Sequence, residues 1–100
     1  MPKIYEYFGF IFYFWSNEHE PIHVHVKKGG RESVYEIILE NGNLSKINRR
    51  KDKNVISLTE KEDKEAYAFV EKFALNIVEK WVNYFVYNKK IRSSKISKRV

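Results

Sequence analysis

Three histidines, at positions 19, 23 and 25, are the residues of this chain whose type and spacing are best suited to chemistry. They are the only histidines in the sequence, and all lie between Asn17 and Lys28. His23 and His25 are two residues apart, so on a β-strand their side chains share one face, with Cβ atoms roughly 6 to 7 Å apart. Two imidazoles at that separation can share a metal ion or act as an acid and a base.

A divalent metal such as zinc is the cofactor that this window predicts. The chain contains no cysteine, so any metal would need histidine and carboxylate ligands. We expect His23 and His25 to supply two ligands, and either His19 from the preceding turn or Glu36 from the opposite strand to supply a third. The first hypothesis is therefore an open metal site.

Two other hypotheses need no metal. In a ribonuclease-like hydrolase, one imidazole would deprotonate a 2′-hydroxyl, the other would protonate the leaving oxygen, and Lys27 or Arg31 would stabilise the phosphorane charge. The nearby glutamates at positions 18, 20, 32 and 36 weigh against this hypothesis, because they would repel a phosphate backbone. In the structural alternative the face is simply solvated, and His23 pairs with Glu36. The candidate site in all three cases is His19, His23, His25, Lys27 and Glu36.

The strands that position these residues are set by the turn at Gly29 and Gly30. Two consecutive glycines are a strong hairpin signal, because both central residues of a type I′ turn need a positive φ. Counting outward from this turn pairs directly opposed residues, which share a face of the sheet. The core face is predicted to hold Ile22, Val24, Val26, Tyr35 and Ile37, and the outer face His23, His25, Lys27, Glu32 and Glu36.

Further strands are predicted on both sides of this hairpin. Residues 8–15 form an aromatic run that is apolar on both faces, which predicts that the strand is covered on both sides. A loop, the tail or the second subunit of a homodimer would supply the second cover, and stacking of nucleic-acid bases on these rings is the functional alternative. Residues 31–39 supply the returning strand, and residues 44–47 a short fourth one. Residues 48–54 are expected to form a mobile basic linker.

One helix is predicted to follow the linker. Thr59 and Glu62 have the spacing of a capping box, and the helix then runs to about Asn88. Apolar residues recur every three or four positions and form one stripe, with a kink expected between Phe73 and Asn76. The stripe consists of Ala66, Phe69, Val70, Phe73, Ile77, Trp81 and Phe85.

Together these elements predict a single α+β domain over residues 1–88. Its fold class is an antiparallel three- to four-stranded β-meander packed against one long C-terminal helix, followed by a basic, flexible tail over residues 89–100. No segment approaches the roughly 20 apolar residues of a membrane span. We therefore expect a cytoplasmic protein that does not contact membranes.

The net charge of +6 is concentrated in the tail, since all 13 acidic residues lie in residues 1–88 with only 13 of the 19 basic ones. Such a cationic segment attracts nucleic acid in a salt-dependent way, although it could also serve only to keep the chain solvated. The candidate nucleic-acid contacts are Arg49, Arg50, Lys51, Lys89, Lys90, Arg92, Lys95, Lys98 and Arg99.

Several of these segments resemble one family of small bacterial proteins, domain of unknown function 4160. The resemblance covers the chain to about Tyr87 and rests on the N-terminal residues 1–4, the Phe8 and Gly9 pair, the segment 16–26 and the late helix with Trp81. The family's motif falls on Asn17, His19, Pro21, His23 and His25. Glu18 stands where aspartate is commoner, and Ile22 where a second proline often stands.

The resemblance implies a role but no established activity. Members of the family are often encoded beside another small protein, which implies a toxin–antitoxin-like pair. The leading expectation is therefore a component that acts through a small protein partner, or as a homodimer, with nucleic acid as a further ligand. The alternative is the metal-binding or hydrolytic histidine site.

Overall fold

The computed structural model describes residues 2–15, 21–50 and 54–100. They form a six-stranded sheet with two helices packed on one of its faces. In chain order the elements are β1 (Lys3–Tyr7), β2 (Phe10–Tyr13), β3 (His23–Lys28), β4 (Arg31–Glu40), β5 (Asn43–Arg50), α1 (Glu60–Lys72), α2 (Ala74–Phe85) and β6 (Ser94–Ile96). The α+β class predicted from the sequence is confirmed.

The sheet has the order β5-β4-β3-β2-β1-β6. Strands β1 to β5 form an antiparallel meander, and β6 joins the outer edge of β1 in parallel. The predicted meander of three to four strands is therefore too small. It lacked β1 and β6, and it ended the last strand at residue 47, whereas β5 continues to Arg50.

The first hairpin explains why β1 was missed. Phe8 and Gly9 both have positive φ values, of 44° and 86°, and they connect Tyr7 to its partner Phe10 in a two-residue turn. These are the φ values of a type I′ turn, in which a non-glycine residue is strained. The predicted strand over residues 8–15 therefore begins with a turn. Gly9 was not interpreted as a turn residue because aromatic residues surround it.

The hairpin that carries the histidines was predicted correctly in its register. His23 opposes Glu36, His25 opposes Val34 and Lys28 opposes Arg31, as counting from the glycine pair requires. Only Gly29 has a positive φ, of 60°, so the turn has the pattern of type II′ and not of the expected type I′. Both turn types keep the same two-residue register, and the assignment of faces is unaffected.

The predicted single helix is divided into two at Phe73. Thr59 and Glu62 form the expected capping box at the start of α1. Phe73 ends α1 and begins α2 with φ −102° and ψ 16°, inside the region where a kink was predicted. Its ring lies 4.5 Å from that of Phe69 and 5.4 Å from that of Tyr5, so packing of an aromatic side chain onto the sheet accompanies the break.

The core lies between the helices and one face of the sheet. The ring of Phe69 on α1 stacks on Phe12 of β2 at 4.3 Å and contacts Tyr7 of β1 at 4.7 Å. Phe10, Phe12 and Phe14 are all fully buried. Five members of the predicted helical stripe are also buried, namely Ala66, Phe69, Val70, Ile77 and Trp81.

A polar network joins the sheet to α1 beside this core. The Tyr35 hydroxyl donates a hydrogen bond of 2.6 Å to Asp63 Oδ1, and Arg49 Nη1 lies 3.3 Å from Asp63 Oδ2. Burial, followed by the hydrogen bond to Asp63, raises the pKa of the Tyr35 hydroxyl. The neutral phenol is therefore held as a donor that fixes α1 across the sheet.

The segment predicted to be a flexible basic tail contains β6, in which Lys95 pairs with Glu6 of β1. Ile91 and Ile96 pack against the core. Near the end of the chain, Arg99 lies with its guanidinium carbon 4.0 Å from the ring centre of Phe8. No helix in the described ranges is long and apolar enough to cross a membrane.

Candidate functional site

The face of the sheet opposite the helices carries the predicted histidines, and we call it the histidine face. It is centred on Tyr13 and Trp15 from β2 and the residues after it, and on His23, His25 and Lys27 from β3. Glu36 of β4 and Arg50 of β5 lie beside them in register. Alternation along β3 sends Val24 and Val26 to the core and leaves the three polar side chains on this face.

A stack of side chains runs across the histidine face. The His25 ring stacks on Tyr13 at 5.2 Å and on Trp15 at 5.3 Å, with interplanar angles of 27° and 26°. The Lys27 ammonium lies 5.3 Å from the centre of the Tyr13 ring, within the range of a cation–π contact. The order Lys27, Tyr13, His25, Trp15 forms a continuous row, which places the indole in a defined orientation.

Burial on this face differs from the prediction. His23 and His25 were expected on a solvated outer face, yet they are only 3% and 8% exposed. The expected solvation is therefore wrong: Tyr13 and Trp15 lie against the His25 ring, and the His25 ring lies against that of His23. Trp15, in contrast, remains 49% exposed at the end of the row, so the accessible part of this face is aromatic.

His23 is oriented by the chain that precedes β3. Its Nδ1 lies 2.7 Å from the carbonyl oxygen of Pro21, which can only accept a hydrogen bond. Nδ1 therefore carries a proton, and in the neutral ring Nε2 is the basic nitrogen. The His23 ring lies 5.4 Å from that of His25, edge to face.

The predicted partner of His23 across the hairpin is engaged elsewhere. Glu36 Oε2 accepts hydrogen bonds from Arg50 Nη2 at 2.7 Å and from Arg50 Nε at 3.1 Å. The proposed pairing of His23 with Glu36 is thus replaced by an ion pair between β4 and β5. Arg50 belongs to the segment that was expected to be a linker, so its ion pair with Glu36 was not predicted.

The described residues bring together four of the five predicted site residues. His23, His25, Lys27 and Glu36 share the histidine face, whereas His19 lies outside the described residues. Within the described ranges, no group of three or more histidine, aspartate or glutamate residues is placed to hold a metal ion. Tyr13, Trp15 and Arg50 were not assigned to the site, although the alternation of residues 8–15 placed both rings on one side.

The predicted nucleic-acid contacts that the structure describes lie on β5, on β6 and in the segments around β6. Three of the arginines face carboxylates: Arg49 faces Asp63, Arg50 faces Glu36 and Arg99 faces Glu65. Lys89 lies over the Tyr87 ring, and Lys95 opposes Glu6 in the sheet. Lys90 and Arg92 line a cleft beside α2, Lys98 is exposed, and Lys51 lies outside the described residues.

Comparison with known proteins gives one match. A family model described as a domain of unknown function, DUF4160, matches residues 9–82. That range includes every residue of the histidine face and excludes β1, β6 and the C-terminal cations. No curated protein and no solved structure matches the chain.

Proposed function

We propose that this chain, which belongs to the DUF4160 family of domains of unknown function, is a binding module that contacts a small protein partner through the histidine face. The observation that carries the proposal is Trp15, a large aromatic side chain that is half exposed yet held by stacking on His25. Tryptophan is among the residues that contribute most to binding energy at protein interfaces.

Preorganisation of the indole favours a docking role. A side chain that is ordered before binding loses less conformational entropy when a partner covers it. His25 and Tyr13 supply that order, because both rings are buried and stacked in one row with the indole. The partner that fits this surface presents an apolar group to Trp15 and a carboxylate to the exposed Lys27.

Charge on the histidine face favours protein over nucleic acid. Arg50 is neutralised by Glu36, and Lys3 at the neighbouring edge is paired with Glu6. Nucleic-acid surfaces owe their affinity to unneutralised cations that contact phosphates. Among the described residues of the histidine face, Arg50 is neutralised and Lys27 is the main exposed cation, so a protein partner is the better ligand.

The family resemblance implies that this chain is encoded beside another small protein, which is a candidate for the partner. We propose that it is the small protein encoded beside this chain, and that the two form a toxin–antitoxin-like pair. In that arrangement the histidine face is the surface of mutual recognition. Because the imidazoles are largely covered, their role is to support Trp15 and not to catalyse a reaction.

The test is the affinity of the chain for the purified neighbouring protein, measured by isothermal titration calorimetry. Trp15→Ala should weaken binding by about tenfold or more, in line with the effect of truncating an interface tryptophan. Leu75→Ala is the matched control, because Leu75 is 60% exposed and lies on α2, on the other side of the sheet. This control should bind like the wild type.

Three results would reject the proposal. The first is the absence of any binding to the neighbouring protein. The second is equal weakening by Leu75→Ala, which would place the interface on the helical side. The third is a wild-type chain that is a dimer dissociated by Trp15→Ala, since the indole would then serve self-association.

A further inference from the structure

A second surface lies on the helical side of the sheet, between α2 and the segment that follows it. A cleft of about 400 Å³ separates the polar side of α2 from residues 90–94, with Tyr5 of β1 also in its wall. Asn76, Lys80 and Asn83 line it from α2 at helical spacing, while Lys90 and Arg92 line it from the opposite wall. The volume is within the range of small-molecule sites.

Two hydrogen bonds hold the walls of this cleft together. Lys80 Nζ donates to the Arg92 carbonyl oxygen at 2.8 Å, and the Lys89 backbone N–H donates to the Asn83 carbonyl oxygen at 2.8 Å. Pairing of Ser94 with Tyr5 in the sheet fixes the far end of the same segment. The cleft is therefore formed before a ligand arrives.

Charge in the cleft is predominantly positive. Lys80, Lys90 and Arg92 contribute three cations, against one carboxylate from Glu79. Tyr5 and Glu79 both line the cleft, and burial and then the charge of Glu79 raise the pKa of the Tyr5 hydroxyl. Lys80 lies near Tyr5, with its ammonium 5.3 Å from the centre of the Tyr5 ring. The Lys90 and Arg92 side therefore carries the excess of positive charge.

We propose that this cleft binds a phosphate group through Lys90 and Arg92, with the amides of Asn76 and Asn83 as neutral donors. Arginine and lysine donate charge-assisted hydrogen bonds to phosphate oxygens, and arginine can donate two in parallel. The phosphate belongs either to a free mononucleotide or to the backbone of a single-stranded nucleic acid. The site is separate from the histidine face, and its function is independent of the protein partner.

The experiment measures binding of three probes to the full chain: inorganic phosphate, adenosine monophosphate and a short fluorescent single-stranded oligonucleotide. Arg92→Gln and Lys90→Gln should each weaken binding of the recognised probe by about five- to tenfold, since each removes a charged hydrogen-bond donor. Lys98→Gln is the matched control, because it removes one positive charge from an exposed position outside the cleft. It should change affinity by less than about twofold.

Glu79→Gln supplies a test in the opposite direction. It removes the single carboxylate in the wall, so phosphate affinity should increase by about two- to fivefold, as expected for a like-charge repulsion partly screened by water. A gain of affinity cannot result from loss of folding, so this variant tests the charge of the cleft independently of the other two.

The source of the phosphate follows from the salt dependence. If the cleft contacts a nucleic-acid backbone, the oligonucleotide binds more tightly than the mononucleotide, and Arg92→Gln lowers the slope of log affinity against log salt by about 0.7. If the ligand is a free phosphate, the mononucleotide binds at least as well as the oligonucleotide. Failure of all three probes to bind, or equal weakening by Lys98→Gln and Arg92→Gln, would overturn the proposal.

Discussion

His25 is a polar side chain on the face of the sheet opposite the helices, and it is buried by its neighbours. Tyr13 lies directly opposite it in register, and Trp15 lies two residues further along the same strand direction. The two stacked rings cover the imidazole, although α1 and α2 pack on the other face of the sheet. The imidazole is therefore part of a small aromatic cluster that is separate from the main core.

This arrangement predicts that His25→Ala destabilises the protein. Loss of two aromatic contacts and of a buried ring should lower the free energy of unfolding by about 2 kcal/mol. Urea denaturation followed by circular dichroism gives this value from the shift in midpoint at an unchanged slope.

The control for this change is Lys27→Ala, two residues along the same strand and on the same face. Lys27 is exposed and has one cation–π contact, with Tyr13, so its removal should cost about 0.5 to 1 kcal/mol. Equal stability of wild type and His25→Ala would show that the imidazole is solvated, as the sequence alone suggested.

For the site residues, the sequence predicted which face of the sheet each side chain lies on, but it did not predict how deeply the side chains are buried. The register of the glycine turn placed His23, His25, Lys27 and Glu36 on one face, and the structure confirms it. Burial of the imidazoles could not be predicted, because it depends on the alignment of β2 with β3. No turn signal fixes that alignment, since the connection between the two strands is long and polar.

Among the elements, β6 shows how a charged segment can be part of the fold. Residues 89–100 contain six basic residues and no acidic one, a composition typical of a flexible tail. Two isoleucines within it nevertheless pack on the core, and the backbone of Ser94–Ile96 pairs with the edge of β1. Three residues are too few for a strand signal in a sequence, so tertiary contacts decide this element.

We expect Ile96→Ala to lower the free energy of unfolding by about 1 kcal/mol, because the side chain is partly buried against the core. Lys95→Ala, at the adjacent and exposed position of the same strand, should cost less than half of that value. Both are measured by urea denaturation. If neither substitution changes the midpoint, the terminal segment is not docked in solution.

The remaining elements were predictable to the extent that local signals specify them. The capping box at Thr59 and the stripe through Phe69 and Ile77 gave the helical region correctly, and the break at Phe73 lies in the predicted kink. The turn at Phe8 and Gly9 was not predicted, because phenylalanine at positive φ is uncommon. Because this turn was not predicted, β1 was also missing from the predicted sheet.

In the whole molecule, the two proposed surfaces differ in charge and lie on different sides of the sheet. The histidine face offers an ordered indole among neutralised charges, which suits a protein. The cleft beside α2 offers unneutralised cations, which suits phosphate. Taken together, the two proposals predict that the chain binds its partner and a phosphate ligand at the same time.

We propose that the partner binds over Trp15. The first experiment to make is a nitrogen–proton NMR spectrum of the chain, which contains one indole N–H signal for each tryptophan. The chain contains two tryptophans, of which Trp15 is half exposed and Trp81 is 6% exposed. Trp15→Ala removes one signal and so assigns both.

When the neighbouring protein is added to the labelled chain, we expect the Trp15 indole signal to shift or broaden and the Trp81 signal to keep its position. If the partner binds and the Trp15 signal does not move, the partner contacts another surface, and the role assigned to the histidine face is wrong.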